Sequence, residues 1–303
     1  MLSDIFYWMI NISILGSVSG IIVLILRLFR KIPRKIVYLL WIIPLFRFYF
    51  PFGIENRFSI LGILSEFTTK TVLINENSLD ITASNFIMAA DSYFPITYKT
   101  DLLRHIFSIA SFVWLAISAS LIITALALYF ITKSEISKAT QLRDNIYLSD
   151  TIISPAVYGV LKPKIVIPSS MQNQDLKYIL LHENIHVKRR DNLWRIIAIF
   201  TACIHWFNPV SWVLVKKFFE DMELSCDAKV VGNLTNDEPK DYSLAVLYAA
   251  SGKTLYSSAF GGAKVKVRLE NILSYKKLTI VSTLAILIFL LAIAIVLLTN
   301  APV

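Results

Sequence analysis

Only two cysteines, Cys203 and Cys226, occur in the chain, and they form no CxxC pair. A disulfide framework is therefore not expected, and both thiols are expected to be reduced and cytoplasmic. The opening residues Met1-Leu2-Ser3-Asp4 contain no basic stretch, so no cleavable secretory signal is expected. There is no internal repeat and no low-complexity tract. Acid is missing from one stretch above all: Arg27, Arg30, Lys31, Arg34 and Lys35 follow one another with no carboxylate between them.

Apolar residues, by contrast, are abundant. They make up 56% of the 303 residues, with a mean hydropathy of +0.62, above the ~45–50% of ordinary soluble domains. The net charge of +9 could suit a nucleic-acid binder. The bases, however, flank long apolar runs, which marks membrane orientation and argues against direct nucleic-acid contact. Four segments approach the ~20 residues a spanning helix needs: about 6–28, 36–52, 105–131 and 278–298. Arg47 is the one charge in the second segment, too little to build a transporter's polar path.

The basic link after the first segment is expected in the cytoplasm. Residues 55–104 hold six acids against four bases and are expected outside. The stretch 132–277 then returns to the cytoplasm and ends in Lys264, Lys266, Arg268, Lys276 and Lys277. The expected organisation is thus residues 1–54 as two spans, 55–104 as an external loop, 105–131 as a third span, 132–277 as a cytoplasmic domain and 278–298 as a fourth span. Both termini would lie outside the cell membrane.

Within the cytoplasmic stretch, residues 146–169 are rich in β-branched side chains, with Pro155, Gly159, Pro163 and Pro168 among them. They predict short strands and turns, with 164–167 as an edge strand that could also hold a peptide. From residue 175 the pattern is helical. Residues 192–216 predict a helix, a break at or near Pro209 and a second helix, lying against or partly within the membrane. The Gly/Ser-rich segment 251–262 predicts a mobile loop.

The chemistry lies in His182-Glu183-Asn184-Ile185-His186, an HExxH pattern. On a helix, positions i and i+4 share a face, so both imidazoles can bind one zinc ion. Glu183 falls beside the metal, where it can take a proton from the attacking water and pass it to the leaving amine. Alone, the pattern arises by chance in about one chain per hundred of this size. A third ligand is therefore required. Glu220, Asp221, Glu223 and Asp227 compete for that place and for the acceptor of a ligand histidine's second N–H. Spacing alone does not choose among them. His205 is the other candidate, with a competing reading as a hydrogen-bonded histidine beside Trp206.

Several ordered stretches carry a resemblance: Ser154-Pro155 through Gly159-Val160-Leu161-Lys162-Pro163-Lys164-Ile165; the HENIH pattern with Val187-Lys188-Arg189-Arg190-Asp191-Asn192; His205-Trp206-Phe207-Asn208-Pro209; Glu223-Leu224-Ser225-Cys226-Asp227; and Arg268-Leu269-Glu270-Asn271-Ile272-Leu273. The chain resembles the BlaR/MecR-type membrane zinc metallopeptidases of beta-lactam-sensing receptors. The resemblance implies a mainly α membrane protein with four transmembrane helices. A cytoplasmic gluzincin-like α+β zinc peptidase domain with a small sheet would complete it. It implies one zinc ion held by His182, His186 and Glu223, Glu183 as base and Asp227 as the carboxylate behind a ligand. The implied partners are the bilayer, a protein or peptide substrate such as a cytoplasmic transcriptional repressor, and a second copy of the chain in a homo-oligomer. Self-cleavage would fall near Ser258, Ala259 and Phe260. The antibiotic-sensing receptors carry a penicillin-binding domain after the fourth span, whereas this sequence stops at Val303. Direct beta-lactam sensing is accordingly not expected of the sequence as it stands. The competing function is a non-catalytic membrane receptor or scaffold with a structural metal site.

Overall fold

The computed structural model describes residues 1–29, 32–50, 101–172, 176–235, 237–251, 264–276 and 279–299. Most of the expected external loop and all of Ser258, Ala259 and Phe260 lie outside the described residues. The chain is mainly helical with one small sheet. In order come α1 (Leu2–Leu28), α2 (Arg34–Leu40), α3 (Ile42–Arg47), α4 (Asp101–Ser137), β1 (Thr140–Arg143), β2 (Ile146–Ser149), β3 (Ala156–Tyr158) and β4 (Lys164–Pro168). Then follow α5 (Lys177–Arg189), α6 (Asp191–Ile204), α7 (Pro209–Val231), α8 (Glu238–Ser251), α9 (Val265–Leu273) and α10 (Ile280–Leu298).

Among the described residues three helices are long and apolar enough to cross a membrane: Leu2–Leu28, His105–Ser137 and Val281–Leu298. The second apolar segment instead forms the short helices α2 and α3, which meet at Trp41. Pro44 explains the junction. It has no N–H for the Leu40 carbonyl, so the regular ladder misses a rung there. Helix α4, the expected third span, runs on to Ser137, past the expected end at 131.

Small side chains let α1 serve as a hub. A Cβ at Gly16 would overlap the Phe48 ring of the turn after α3, and one at Gly20 would overlap Leu214 of α7. Asn208 caps α7 by accepting from the Val210 N–H and donates to Ser13 Oγ (2.8 Å) and Ser17 Oγ (2.7 Å) of α1. The expected break at Pro209 is thus the N1 position of α7, where a proline costs no hydrogen bond. One core joins Val23, Tyr38, Trp41 and Phe48 to Ala198, Leu214, Phe218 and Met222. The apolar N-terminal helices and the helices behind the site therefore share a core.

Two arginines lock this bundle. Arg47, fully buried, donates to the carbonyls of Leu297 (2.8 Å) and Thr299 (3.0 Å), where a cation suits the negative end of α10. Arg27 of α1 grips Asp221 of α7 through Nε (2.8 Å) and Glu220 through Nη2 (2.8 Å), and Trp41 Nε1 also donates to Asp221 (2.9 Å). Asp221→Ala would strip the half-buried Arg27 guanidinium of its main partner. We expect it to cost about 2–3 kcal/mol, below the ~3–5 of a fully severed buried pair because Glu220 remains. A thermal unfolding midpoint equal to wild type would contradict this.

The sheet has the order β1-β2-β4-β3, with β2 and β4 parallel and the outer pairs antiparallel. This corrects the expectation of an edge strand at 164–167. Strand β4 pairs on both sides, and Ile165, Val166 and Ile167 are all fully buried. An unbroken apolar run is the mark of a central strand covered on both faces. The edges are β1 and β3.

Candidate metal centre

The site is assembled on α5 and α7. His182, Glu183 and His186 all face inward from α5, at 6%, 8% and 5% exposure. The two imidazoles meet edge to face, with their Nε2 atoms 3.1 Å apart. From α7, Glu223 brings Oε2 to 3.5 Å of His182 Nε2 and Oε1 to 3.7 Å of His186 Nε2.

Each histidine is held from behind by a carboxylate that is itself held by an arginine. Helix α5 ends with Arg190 in the left-handed region (φ 55°), its N–H closing onto the His186 and Val187 carbonyls. That turn brings Asp191 back beneath His186, so that Oδ2 lies 2.5 Å from His186 Nδ1. Arg189 grips the same carboxylate through Nε (3.1 Å) and Nη2 (2.6 Å). On the other side, Tyr242 of α8 lies 2.8 Å from His182 Nδ1 and donates its hydroxyl proton to Asp227 Oδ1. Arg268 of α9 binds Asp227 with two hydrogen bonds, at 2.8 and 2.7 Å.

These networks settle which ring nitrogens are available. Burial would push the Asp227 carboxyl up, but Arg268 and His182 outweigh it and hold the group well below the usual carboxylate range. Asp227 is then an acceptor only, and Tyr242 gives it its single proton. The phenol oxygen must accept from His182 Nδ1–H. Burial likewise opposes ionisation of Asp191, and its bonds to His186 and Arg189 prevail and lower its pKa. With both Nδ1 atoms as donors, the Nε2 atoms, which face each other and Glu223, are the ones that could take a metal. The donor set fits a divalent metal. Glu223 is also held ionised. Burial would raise its carboxyl, and His186, His182, Arg268 and Arg195 together drive it far down; Arg195 Nη2 donates to it at 2.8 Å.

The competing acids fall elsewhere. Glu220 and Asp221 face Arg27, on the other side of α7. His205 stands at the far end of α6, donating from Nε2 to the Phe48 carbonyl (3.1 Å), so it makes no part of this cluster. Besides Asp191, Tyr242 and Arg268, a cysteine that the sequence did not single out lies at the site. Cys226 is fully buried, one turn beyond Glu223, and donates to the His182 carbonyl (3.3 Å). Ligand atoms of His182, His186 and Cys226 lie within 4.8 Å of one another. Burial raises its thiol, but the two imidazoles reverse this and bring it to about 7. The three-residue spacing from Glu223 on one helix was the signal available for it.

Beside α5 runs the edge strand β3. Asn192 Nδ2 donates to the carbonyls of Val157 (2.9 Å) and Gly159 (3.0 Å), fixing that strand against the start of α6. Asp227 lies on the Nδ1 side of His182 (3.2 Å), so Asp227→Asn is expected to weaken metal binding about 10–100-fold. Competition with a chelator measures it, and an unchanged affinity would remove the assigned role.

Two imidazoles and a carboxylate come together here, with a glutamate alongside, and such a set of donors suits a divalent metal. The chain belongs to the BlaR1 peptidase M56 family, whose model matches residues 7–275. Among its relatives are the "Regulatory protein BlaR1" of Staphylococcus aureus, 34% identical over 145 residues, and that of Bacillus licheniformis, 32% identical over 127 residues. The "Methicillin resistance mecR1 protein" of Staphylococcus aureus (strain Mu50 / ATCC 700699) is 32% identical over 103 residues. These matches take in 44%, 41% and 33% of this chain. They span 25%, 21% and 18% of the relatives, so the chain covers about a quarter or less of their length.

Proposed function

We propose that the chain is a membrane-embedded zinc endopeptidase that transmits a signal by cutting a cytoplasmic regulator, such as a transcriptional repressor, itself, or both. The convergence of His182 Nε2, His186 Nε2 and the Glu223 carboxylate carries this reading. These three residues would hold one zinc ion. When bound, it supplies Lewis acidity to the scissile carbonyl and acidifies a water molecule. Glu183 takes the proton of that attacking water and delivers it to the departing amine. Asp191 and Asp227 keep the two imidazoles in the tautomer described above. The edge strand β3 offers main-chain groups along which an extended peptide can lie without demanding particular side chains. In this reading the peptidase side is cytoplasmic and both termini are outside.

A second reading has one observation in its favour. Cys226 stands close enough to the histidines to fill the fourth position, and a filled site is structural. The chain would then be a non-catalytic receptor or scaffold. Comparing cytoplasmic proteins from cells carrying wild type and Glu183→Ala tests the proposal. A regulator cut only in the wild-type cells is the expected result. Identical protein profiles in the two strains would count against it.

A further inference from the structure

Tyr38 belongs to α2, within the segment that reads as the second span, yet its hydroxyl reaches the metal centre's support. It is 9% exposed and donates to Asp191 Oδ1 at 2.9 Å. Oδ2 of the same carboxylate takes His186 Nδ1 and Arg189 Nη2. Of the donors to Asp191, Arg189 and His186 lie within five residues of it and move with the same helix turn. Tyr38, 153 positions away, is the donor from another part of the bundle.

The ring is fixed as firmly as the hydroxyl. It stacks on Phe218 of α7, with centroids 5.6 Å apart and planes 9° from parallel. The Arg189 guanidinium lies 4.3 Å from the ring centroid on a cation–π contact. Phe218 precedes Glu223 by five residues on the same helix. One side chain from α2 therefore touches both the turn that orients His186 and the helix that presents Glu223.

We propose that Tyr38 is a positioning residue for the metal centre: through Asp191 it sets the orientation of His186, and so ties the second apolar segment to the metal ligands. The inference rests on the zinc reading above. A carboxylate behind a metal-bound histidine fixes its ring and raises its basicity. Asp191 can do so only if it is itself held. A displacement of α2 relative to α5 would loosen His186 without any change in the ligands themselves. The membrane-proximal helices would thus adjust metal affinity directly.

Two variants of the full chain in detergent micelles separate this from plain packing. Tyr38→Phe keeps the stack on Phe218 and the face toward Arg189 and removes only the hydroxyl. Phe218→Leu removes the stack and leaves the hydroxyl in place. Zinc affinity is read by chelator competition. Ligand geometry is read from the visible spectrum of the cobalt-substituted protein. Tyr38→Phe should weaken zinc binding about 10-fold or more and shift the cobalt bands, with an unfolding midpoint near wild type. Phe218→Leu should lower the midpoint while leaving affinity and bands close to wild type. Equal zinc affinity in wild type and Tyr38→Phe overturns the inference alone. So does an equal loss in both variants, since packing would then be the cause. If Phe218→Leu does not fold, the cobalt spectrum of Tyr38→Phe decides, and unshifted bands overturn the proposal. A wild type that binds no zinc overturns the zinc reading itself.

Discussion

Glu183→Ala is expected to lower proteolysis by about 10²–10⁴-fold while leaving bound metal at the wild-type level. The size follows from the loss of general-base and general-acid transfer at one group, which amounts to ~1.4 kcal/mol of barrier per tenfold. The retention of metal follows from the wiring of the site. His182 is held by Tyr242, Asp227 and Arg268, and His186 by Asp191 and Arg189. Glu183 belongs to neither network, although it sits on the same helix at 8% exposure. Metal content by elemental analysis and cleavage of a casein-type substrate should therefore part company in this variant. Loss of both together would place Glu183 among the ligands. Full cleavage would deny it the role of base.

Much of the centre was legible because it is built on helical periodicity. His182 and His186 are four apart, as are Glu223 and Asp227, and each pair shares a face wherever those stretches are helical. The break at Pro209 was legible for a local reason as well, since proline starts a helix easily and continues one badly. The choice among four acids was not available from spacing. It depends on which side of α7 meets Arg27 and which meets α5, and that is decided by packing across 193 positions of sequence. The carboxylate behind His186 was equally hidden. Asp191 lies five residues beyond His186, but its reach back to that ring needs Arg190 in a left-handed conformation, which arginine rarely adopts. Tyr242, Arg268 and Tyr38 come from separate helices and leave no periodic trace. The misplaced edge strand has a different cause. Flanking prolines suggested an edge, while the unbroken Ile165-Val166-Ile167 run was the better guide to a covered central strand.

The identity of the third ligand decides between an open site and a closed one, and a pair of substitutions can read it. Glu223 faces both Nε2 atoms with its two oxygens, and Arg195 and Arg268 hold the carboxylate ionised. Cys226 lies deeper, fully buried, and its sulfur points to the His182 carbonyl. Glu223 is therefore expected to be the ligand, with Cys226 part of the packed wall behind the histidines, among Ile185, Val230 and Tyr242. Glu223→Gln removes the charge but keeps the shape, and should weaken zinc binding more than about 100-fold, beyond the ~10–100-fold cost of losing a group behind a ligand. Glu220→Gln should change it little, because Glu220 bonds to Arg27 and Lys217 instead. Cys226→Ser should cost less than about tenfold and preserve cleavage. If Cys226→Ser weakens zinc as much as Glu223→Gln, four protein ligands fill the metal's coordination. No position would then be left for water, and the peptidase reading would give way to a structural site.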